Sequence, residues 1–385
     1  MRRLKSLTLT LPLLAFLLMF FIVPLGVMMR SSISDPVATN TLPQTAAALS
    51  HWDRDQLPSI SMQTAFINDI RGLDDDEQFG DLVRRLNSSQ SGFRSLMAKT
   101  RRAIHENTDD FELETIDKRW GQLSFWRVLA EAVNSPWTDK NLLAALDYQR
   151  DPSGDIMAMP AGTSANSLIM GRTFLVAMMV TLCCLGLGLP FALVMSSTSG
   201  WKRQLLLAAV LLPLWTSLLV RTAAWFILLQ ENGIINETLQ WLGLINEPLT
   251  LLFNRLGVVI AMTHVLLPFM VLPIFSVLIG IPKNLMPAAA SLGAHPYRAF
   301  FHVLLPLTMR GVVSGSLLVF MTALGYYITP ALIGGANDQM ISSIIAYYAT
   351  GAANWGMAGA LGLVLLVATL ILYTVYMRFT VEERR

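Results

Sequence analysis

Six stretches of this chain are almost free of charged side chains: residues 7–29, 173–196, 204–229, 256–279, 312–332 and 356–377. Each is long enough to cross a hydrocarbon layer of ~30 Å as a helix. The composition agrees, because 54% of the 385 residues are hydrophobic and 14% are charged, against about 25% charged in an average soluble domain. The expected class is an all-α membrane protein with six transmembrane helices.

The first run follows Arg2, Arg3 and Lys5. It exceeds the roughly 7 to 15 residues of a signal-peptide core and lacks a small-residue cleavage site after it, so it reads as a retained helix. Lys and Arg collect in cytoplasmic loops. With the N-terminus inside, the inner segments carry Arg2, Arg3, Lys5, Lys202, Arg203, Lys283, Arg298, Arg310, Arg378, Arg384 and Arg385, whereas the short outer loops, 230–255 and 333–355, hold only Arg255. Both termini are therefore expected in the cytoplasm and residues 31–167 outside.

That outer segment holds 20 of the 26 Asp and Glu residues, the mark of a polar domain inserted between the first and second spans. It is too long for a structureless connection. Phe79, Leu82, Val83 and Leu86 fall at i, i+3, i+4 and i+7, and Phe125, Val128, Leu129 and Val133 form a similar stripe before Ser135 and Pro136 interrupt it, so packed helices are predicted. Thr138 is placed to cap a further helix carrying Leu142, Leu143 and Leu146. The start of the segment, residues 31–58, reads as loosely ordered. Three parts result: an N-terminal transmembrane helix at 1–30, a mainly helical extracytoplasmic domain at 31–167, and a five-helix core at 168–385 with a cytoplasmic loop at 281–306.

Several chemistries are excluded. None of the six lysines follows a glycine, so there is no GxxxxGK[ST] phosphate cradle and no catalytic residue is assigned. Cys183 and Cys184 are adjacent in an apolar run and read as packing residues. Asp74, Asp75, Asp76 and Glu77 form a solvated acidic face without the converging geometry of a metal site. His264 reads as a packing histidine, and Asn87-Ser-Ser and Asn236-Glu-Thr as chance matches to a short acceptor pattern. No cofactor, metal or nucleic acid is called for by this chain; its surroundings are membrane lipid.

The loop between the fourth and fifth spans is the most informative stretch. Ala288, Ala289 and Ala290 favour helix, Gly293 suits a helix C-terminus, and Pro296 suits the first turn of a second helix. Such a small-residue helix at the end of a span has the shape of a plug for a partner's groove. The sequence Pro287-Ala-Ala-Ala-Ser-Leu-Gly293-Ala-His-Pro-Tyr-Arg-Ala-Phe-Phe-His-Val-Leu-Leu305-Pro306 resembles the EAA loop of ABC importer permeases. Ala288, Ala289, Gly293, Leu305 and Pro306 fall on that pattern, while the motif's Glu position is Pro287. Leu212-Pro-Leu-Trp-Thr-Ser-Leu-Leu-Val-Arg221, Gly233-Ile-Ile-Asn236, Leu266-Leu-Pro-Phe-Met-Val-Leu-Pro273 and Ile333-Gly-Gly-Ala-Asn-Asp338 extend the similarity across most of residues 173–378, toward the spermidine and putrescine branch.

The resemblance implies a permease subunit in a bacterial inner membrane, coupled to ATPases at the five loop residues named above. Its partners would be a second permease subunit, two ABC ATPase subunits that hold ATP and Mg, and an extracytoplasmic solute-binding protein. For an amine, acidic and aromatic groups toward the outer end of the spans are the expected contacts: Trp215, Trp225, Glu231, Tyr326, Tyr327, Asp338 and Trp355. The same aromatics also suit an interface belt. Arg221 costs about 2.5 to 3.5 kcal/mol at a helix centre, so it either lines the pathway in a gating or pairing role or snorkels outward. A secondary transporter would need carboxylates within the spans, and there are none; a membrane sensor would need a larger cytoplasmic part.

Overall fold

A computed structural model describes residues 11–106, 112–151, 155–160 and 162–382. Arg2, Arg3, Lys5, Arg384 and Arg385, together with residues 7–10 of the first apolar run, lie outside the described residues. The chain divides into two compact units, Met1–Leu143 and Ala144–Arg385.

The first unit begins with the apolar helix Leu11–Ile33. A π-turn at Leu18–Ile22 ends with the Val23 N–H bonded to Leu18 O, two residues before Pro24. A proline lacks the N–H for its own helical bond and its ring presses on the preceding turn, so a one-residue widening lets the helix continue. Helices Val37–Thr41, Pro43–Leu49, Ile60–Arg71, Asp76–Ser89, Phe93–Glu106 and Leu123–Asn134 follow. The two predicted stripes face the core: Leu82, Val83 and Leu86 are buried on one helix and Phe125, Leu129 and Val133 on another. At the centre Phe66, Phe93, Trp120 and Trp126 pack with ring centroids 4.9 to 6.5 Å apart. Both indole N–H groups are satisfied, Trp120 Nε1 on Thr100 Oγ1 at 2.9 Å and Trp126 Nε1 on Trp120 O at 2.7 Å, which removes the cost of burying them.

One expectation for this unit changes, and the exposed acidic run gains a local role. Residues 31–58 are not loosely ordered: Ala38, Leu42 and Leu49 are buried in the core, and the buried Asp69 carboxylate accepts Thr45 N and Thr45 Oγ1, both at 2.7 Å, capping the Pro43–Leu49 helix from a distant turn. The acidic run serves the helix Asp76–Ser89, with Asp75 accepting from Glu77 N and Gln78 N as its N-cap and Asp76 and Glu77 in the first turn, where the helix dipole favours negative charge. The chain enters and leaves the unit at one place, since Thr138 N donates to Ile33 O at 2.9 Å and Asp35 N to Pro136 O at 2.7 Å.

The second unit opens with a short antiparallel hairpin, Tyr148–Arg150 with Ile156–Ala158, which the helical expectation for residues 31–167 did not include. Asp147 holds the start of the next helix by accepting Asn166 N at 2.9 Å and Ser167 N at 2.8 Å. The hairpin therefore groups with the helix that follows, within the compact unit Ala144–Arg385.

Three long helices, Asn166–Ser197, Arg255–Gly280 and Pro296–Gly325, form the body of this unit. Glycines set their spacing. A Cβ on Gly311 would stand 2.8 Å from Ile274 Cα and 2.9 Å from Pro273 O, one on Gly315 would stand 3.0 Å from Met270 O, and one on Gly188 would stand 2.9 Å from Met270 Cγ. Gly311 and Gly315 are four residues apart on one face, the small-residue pattern that lets membrane helices approach closely in the absence of a hydrophobic drive. Trp355–Glu382 supplies the last span.

Among the described residues, five helices are long and apolar enough to cross a membrane, and a bent pair makes six if it counts as one span. That pair covers the expected span 204–229. Gly200–Trp215 and Leu218–Leu228 meet at 101°, with Thr216 and Ser217 extended between them. The expected span 312–332 is likewise interrupted, ending at Gly325 and resuming as Ile328–Ile333.

Candidate functional site

Residues 281–306 fold as the sequence predicts, into a helix Leu285–Ser291, a turn, and a helix from Pro296. Gly293 has φ +82°, its N–H donates to Ala290 O at 2.9 Å, and the Ala294 N–H donates to Ala289 O at 3.0 Å. These are the two bonds of a Schellman ending, which needs a left-handed residue between them. Pro306 does not begin a separate element. The helix from Pro296 continues through a π-turn at Phe300–Leu304, closed by the Leu305 N–H on Phe300 O, and runs on to Gly325. As at Pro24, the widened turn accommodates the missing donor. Leu292 and Tyr297, 89% and 74% exposed, project beside Gly293, while Ala288, Gly293 and Pro306 are also exposed and Ala289 and Leu305 are partly covered. The Pro296 side of the exposed tip thus runs without interruption into a membrane-crossing helix.

A second cluster gathers around the bent pair. Trp225 Nε1 donates to His264 Nδ1 at 3.1 Å, joining Leu218–Leu228 to Arg255–Gly280. Arg221 stands one turn earlier on the Leu218–Leu228 helix. Thr222 Oγ1 and Thr329 Oγ1 pair at 3.1 Å. The carbonyls released where the helix stops at Tyr326 and Tyr327 are taken by Ser342 Oγ at 2.6 Å and Ser343 Oγ at 3.2 Å. Irregular backbone at membrane depth persists only with such replacement partners.

The structure therefore sets Arg221 and Trp225 on one helix beside His264, while Tyr326 and Tyr327 stand at the helix stop whose carbonyls Ser342 and Ser343 take. Asp338 stands apart from them, bonded to Arg255 Nε at 3.2 Å. Trp215, at the bend, is 77% exposed and Trp355 56% exposed, and Glu231 lies exposed in the turn before Ile234–Trp241; none of these three joins the cluster. His264, Thr222, Thr329, Ser342 and Ser343 belong to the cluster, although sequence reasoning passed over all but His264 and read that one as packing. The visible signal was the spacing of Arg221, Thr222 and Trp225 on one helical turn. Asn236 is fully buried, with its amide bonded to Gln230 O and to both Leu249 O and Leu249 N. That fastens the loop after the bent pair and leaves no acceptor for modification. Among the described residues no His, Cys, Asp or Glu cluster is arranged to hold a metal.

The family model described as "Binding-protein-dependent transport system inner membrane component" matches residues 184–381, so the first unit lies outside the match. The chain is 36% identical over 202 residues to the spermidine/putrescine transport system permease protein PotB of Escherichia coli (strain K12), an alignment covering 52% of this chain and 74% of that protein. It is 38% identical over 193 residues to PotB of Haemophilus influenzae, covering 50% and 68%. It is 35% identical over 229 residues to the inner membrane ABC transporter permease protein YdcU of Escherichia coli, covering 56% and 71%.

Proposed function

The chain belongs to the binding-protein-dependent transport system inner membrane component family, and on that premise we propose that it is the permease subunit of an ABC importer for polyamines, spermidine and putrescine or related small amines. The observation that carries the reading is the alignment with PotB, which spans 74% of that permease.

The chain's own part is mechanical. The exposed tip at Ala288, Ala289 and Gly293, stiffened through Leu305 and Pro306 into the Pro296–Gly325 helix, seats in the groove of an ATPase subunit. Two such subunits bind ATP and Mg, and their closure tilts this helix and those packed on it, opening the path alternately to each side. Because Gly311 and Gly315 hold the Arg255–Gly280 helix at backbone distance, a displacement of one helix moves its neighbour. An external solute-binding protein delivers the amine, and a second permease subunit completes the path. Trp225, Tyr326 and Tyr327 face it with aromatic rings suited to an ammonium group. Both termini lie in the cytoplasm of a bacterium and the inserted domain outside, as the distribution of Lys and Arg requires.

The test is uptake. Proteoliposomes holding this chain with its partner permease and ATPase subunits, supplied with the binding protein, should accumulate labelled spermidine or putrescine only when ATP is inside with the ATPase domains. Uptake that follows an ion gradient without ATP, or a chain that purifies without any ATPase subunit, overturns the reading.

A further inference from the structure

Trp225 commits its one polar group to a neighbouring helix. An indole N–H can only donate, and one taken out of water needs an acceptor. Here Nε1 reaches His264 Nδ1 at 3.1 Å, with ring centroids 5.4 Å apart and the planes at 64°. An imidazole nitrogen accepts only through a free lone pair. His264 is therefore neutral in this arrangement, with its proton on Nε2 and Nδ1 turned to the indole edge.

The bond settles which way the indole stands. Leu218–Leu228 is a helix of 11 residues beyond a 101° bend, tied one turn before Trp225 by the Thr222–Thr329 hydroxyl pair and at Trp225 by His264. Trp225 itself is half-buried and packs on the core of the second unit. The edge of an aromatic ring is positive and its face negative. With the N–H edge held by His264, the face is the part of the ring left for a cation, which binds over it within about 6 Å of the centroid. Orientation matters here because no Asp or Glu lies within the described membrane-crossing segments. An ammonium group passing through them has ring faces to meet in place of this chain's carboxylates.

Resting on the permease reading, we propose that His264 is a positioning residue for amine transport: its neutral imidazole fixes the Trp225 indole so that the ring face, and not the N–H edge, meets the ammonium group. Held in place beforehand, the ring has less rotamer freedom to lose when the amine arrives, so more of the contact appears as binding. A histidine that only filled space could be replaced by any side chain of similar size. The positioning role needs an acceptor at the Nδ1 position.

The complex of this chain with its partner permease and ATPase subunits is reconstituted with saturating spermidine-loaded binding protein, and spermidine uptake and ATP hydrolysis are measured together. Absence of uptake by the wild-type complex overturns the permease reading itself. His264→Leu should lower uptake per ATP hydrolysed by about three- to tenfold, the size expected from one cation–π contact. His264→Asn, which puts an amide oxygen where Nδ1 stands, should stay within about twofold of wild type. Because His264→Leu risks a loss of assembly, His264→Gln gives a second comparison: its acceptor stands at the Nε2 position, away from the indole, and uptake per ATP should fall as for Leu. Trp225→Phe keeps an aromatic face but has no N–H to anchor, so it should also lower uptake, and His264→Leu should add nothing to that loss. Wild-type uptake in His264→Leu overturns the inference, as does a loss in Asn equal to that in Gln. Uptake and ATP hydrolysis that fall in the same proportion, or losses from His264→Leu and Trp225→Phe that multiply, overturn it too.

Discussion

Arg255 and Asp338, 83 residues apart in sequence, are joined by a 3.2 Å bond from Nε to Oδ1 that pins the turn Ala336–Asp338 to the start of the Arg255–Gly280 helix. The turn is also fixed by the backbone, since Phe253 N donates to Ile333 O at 2.8 Å. The pair is half open to solvent on the arginine side, where such bonds contribute about 0.2 to 1 kcal/mol. Arg255→Gln and Asp338→Asn should each lower thermal stability slightly, and the double variant should cost no more than either. If Asp338 also meets the amine, Asp338→Asn will raise the KM for uptake while Arg255→Gln does not.

Gly293 separates two effects that a bulky replacement would otherwise mix. With φ at +82° but no atom within 4 Å of a Cβ built there, a side chain is penalised by backbone conformation, at about 1 to 2 kcal/mol, and not by crowding inside this chain. Gly293→Ala and Gly293→Leu should therefore melt alike, and Gly293→Asn should be the mildest. Only Leu thickens the tip that enters the ATPase. ATP hydrolysis without uptake is expected for Leu, and equal uptake by Ala and Leu variants would remove the coupling role.

The close helix contacts predict an unequal response to the same small change. Gly311→Ala pushes a methyl group onto Ile274 Cα and Pro273 O, backbone atoms that cannot turn aside, and should cost about 3 kcal/mol, the upper end for overpacking. Gly188→Ala meets the flexible Met270 side chain and should cost about 1 kcal/mol or less. Melting of the detergent-solubilised chain orders the two, and a reversed order would show that the helices are not held at these glycines.

How much of this was legible depends on what each signal measures. Hydropathy reports how long and how apolar a segment is, so the spans were found, but it is blind to direction. The 101° bend at Thr216 and Ser217 and the stop at Tyr326 sit inside apolar runs and leave no trace in it. Their local cues were Pro213 followed by Leu-Trp-Thr-Ser, and Gly325 followed by two tyrosines. Residues 281–306 were readable because Gly293 and Pro296 act through local backbone chemistry. The order in residues 31–58 was not, because the Asp69 carboxylate that caps Pro43–Leu49 comes from the Ile60–Arg71 helix, 24 residues beyond Thr45. Trp225 with His264, and Thr222 with Thr329, are likewise products of packing and have no sequence spacing to betray them.

In the first unit Asp117 accepts Arg119 Nε at 2.9 Å and Nη2 at 2.8 Å, and Lys99 Nζ at 3.1 Å. The Arg119 side chain, above all, holds its carboxyl well below the usual range. A depressed folded-state value means the stabilisation is complete above the ordinary carboxylate pKa of about 4 and is lost as pH falls below it toward the folded value. Asp117→Asn should abolish that dependence. Hydrogen exchange of peptides spanning residues 93–126 should show wild-type protection falling only below about pH 4, and weaker protection at pH 7 in the variant.

The role of the polar part of the first unit is tested by excising it at the place where its own structure closes. Residues 31–167 carry 20 Asp and Glu against 13 Lys and Arg, and such an acidic surface, on the side where the solute arrives under the proposed topology, would attract cationic solutes and a basic face of the binding protein. Its aromatic core makes it a rigid body, which favours a docking platform for the binding protein over a second solute site. Because Ser34 pairs with Trp137, residues 36–135 can be exchanged for a linker of about four residues, the length of a short hairpin loop, without separating the flanking chain. The shortened chain should assemble with the ATPase subunits as before. Binding-protein association and uptake at limiting binding protein should fall, most strongly at low ionic strength, where surface charge is least screened. Uptake that stays at the wild-type level across the salt range would show that the domain does not dock the binding protein.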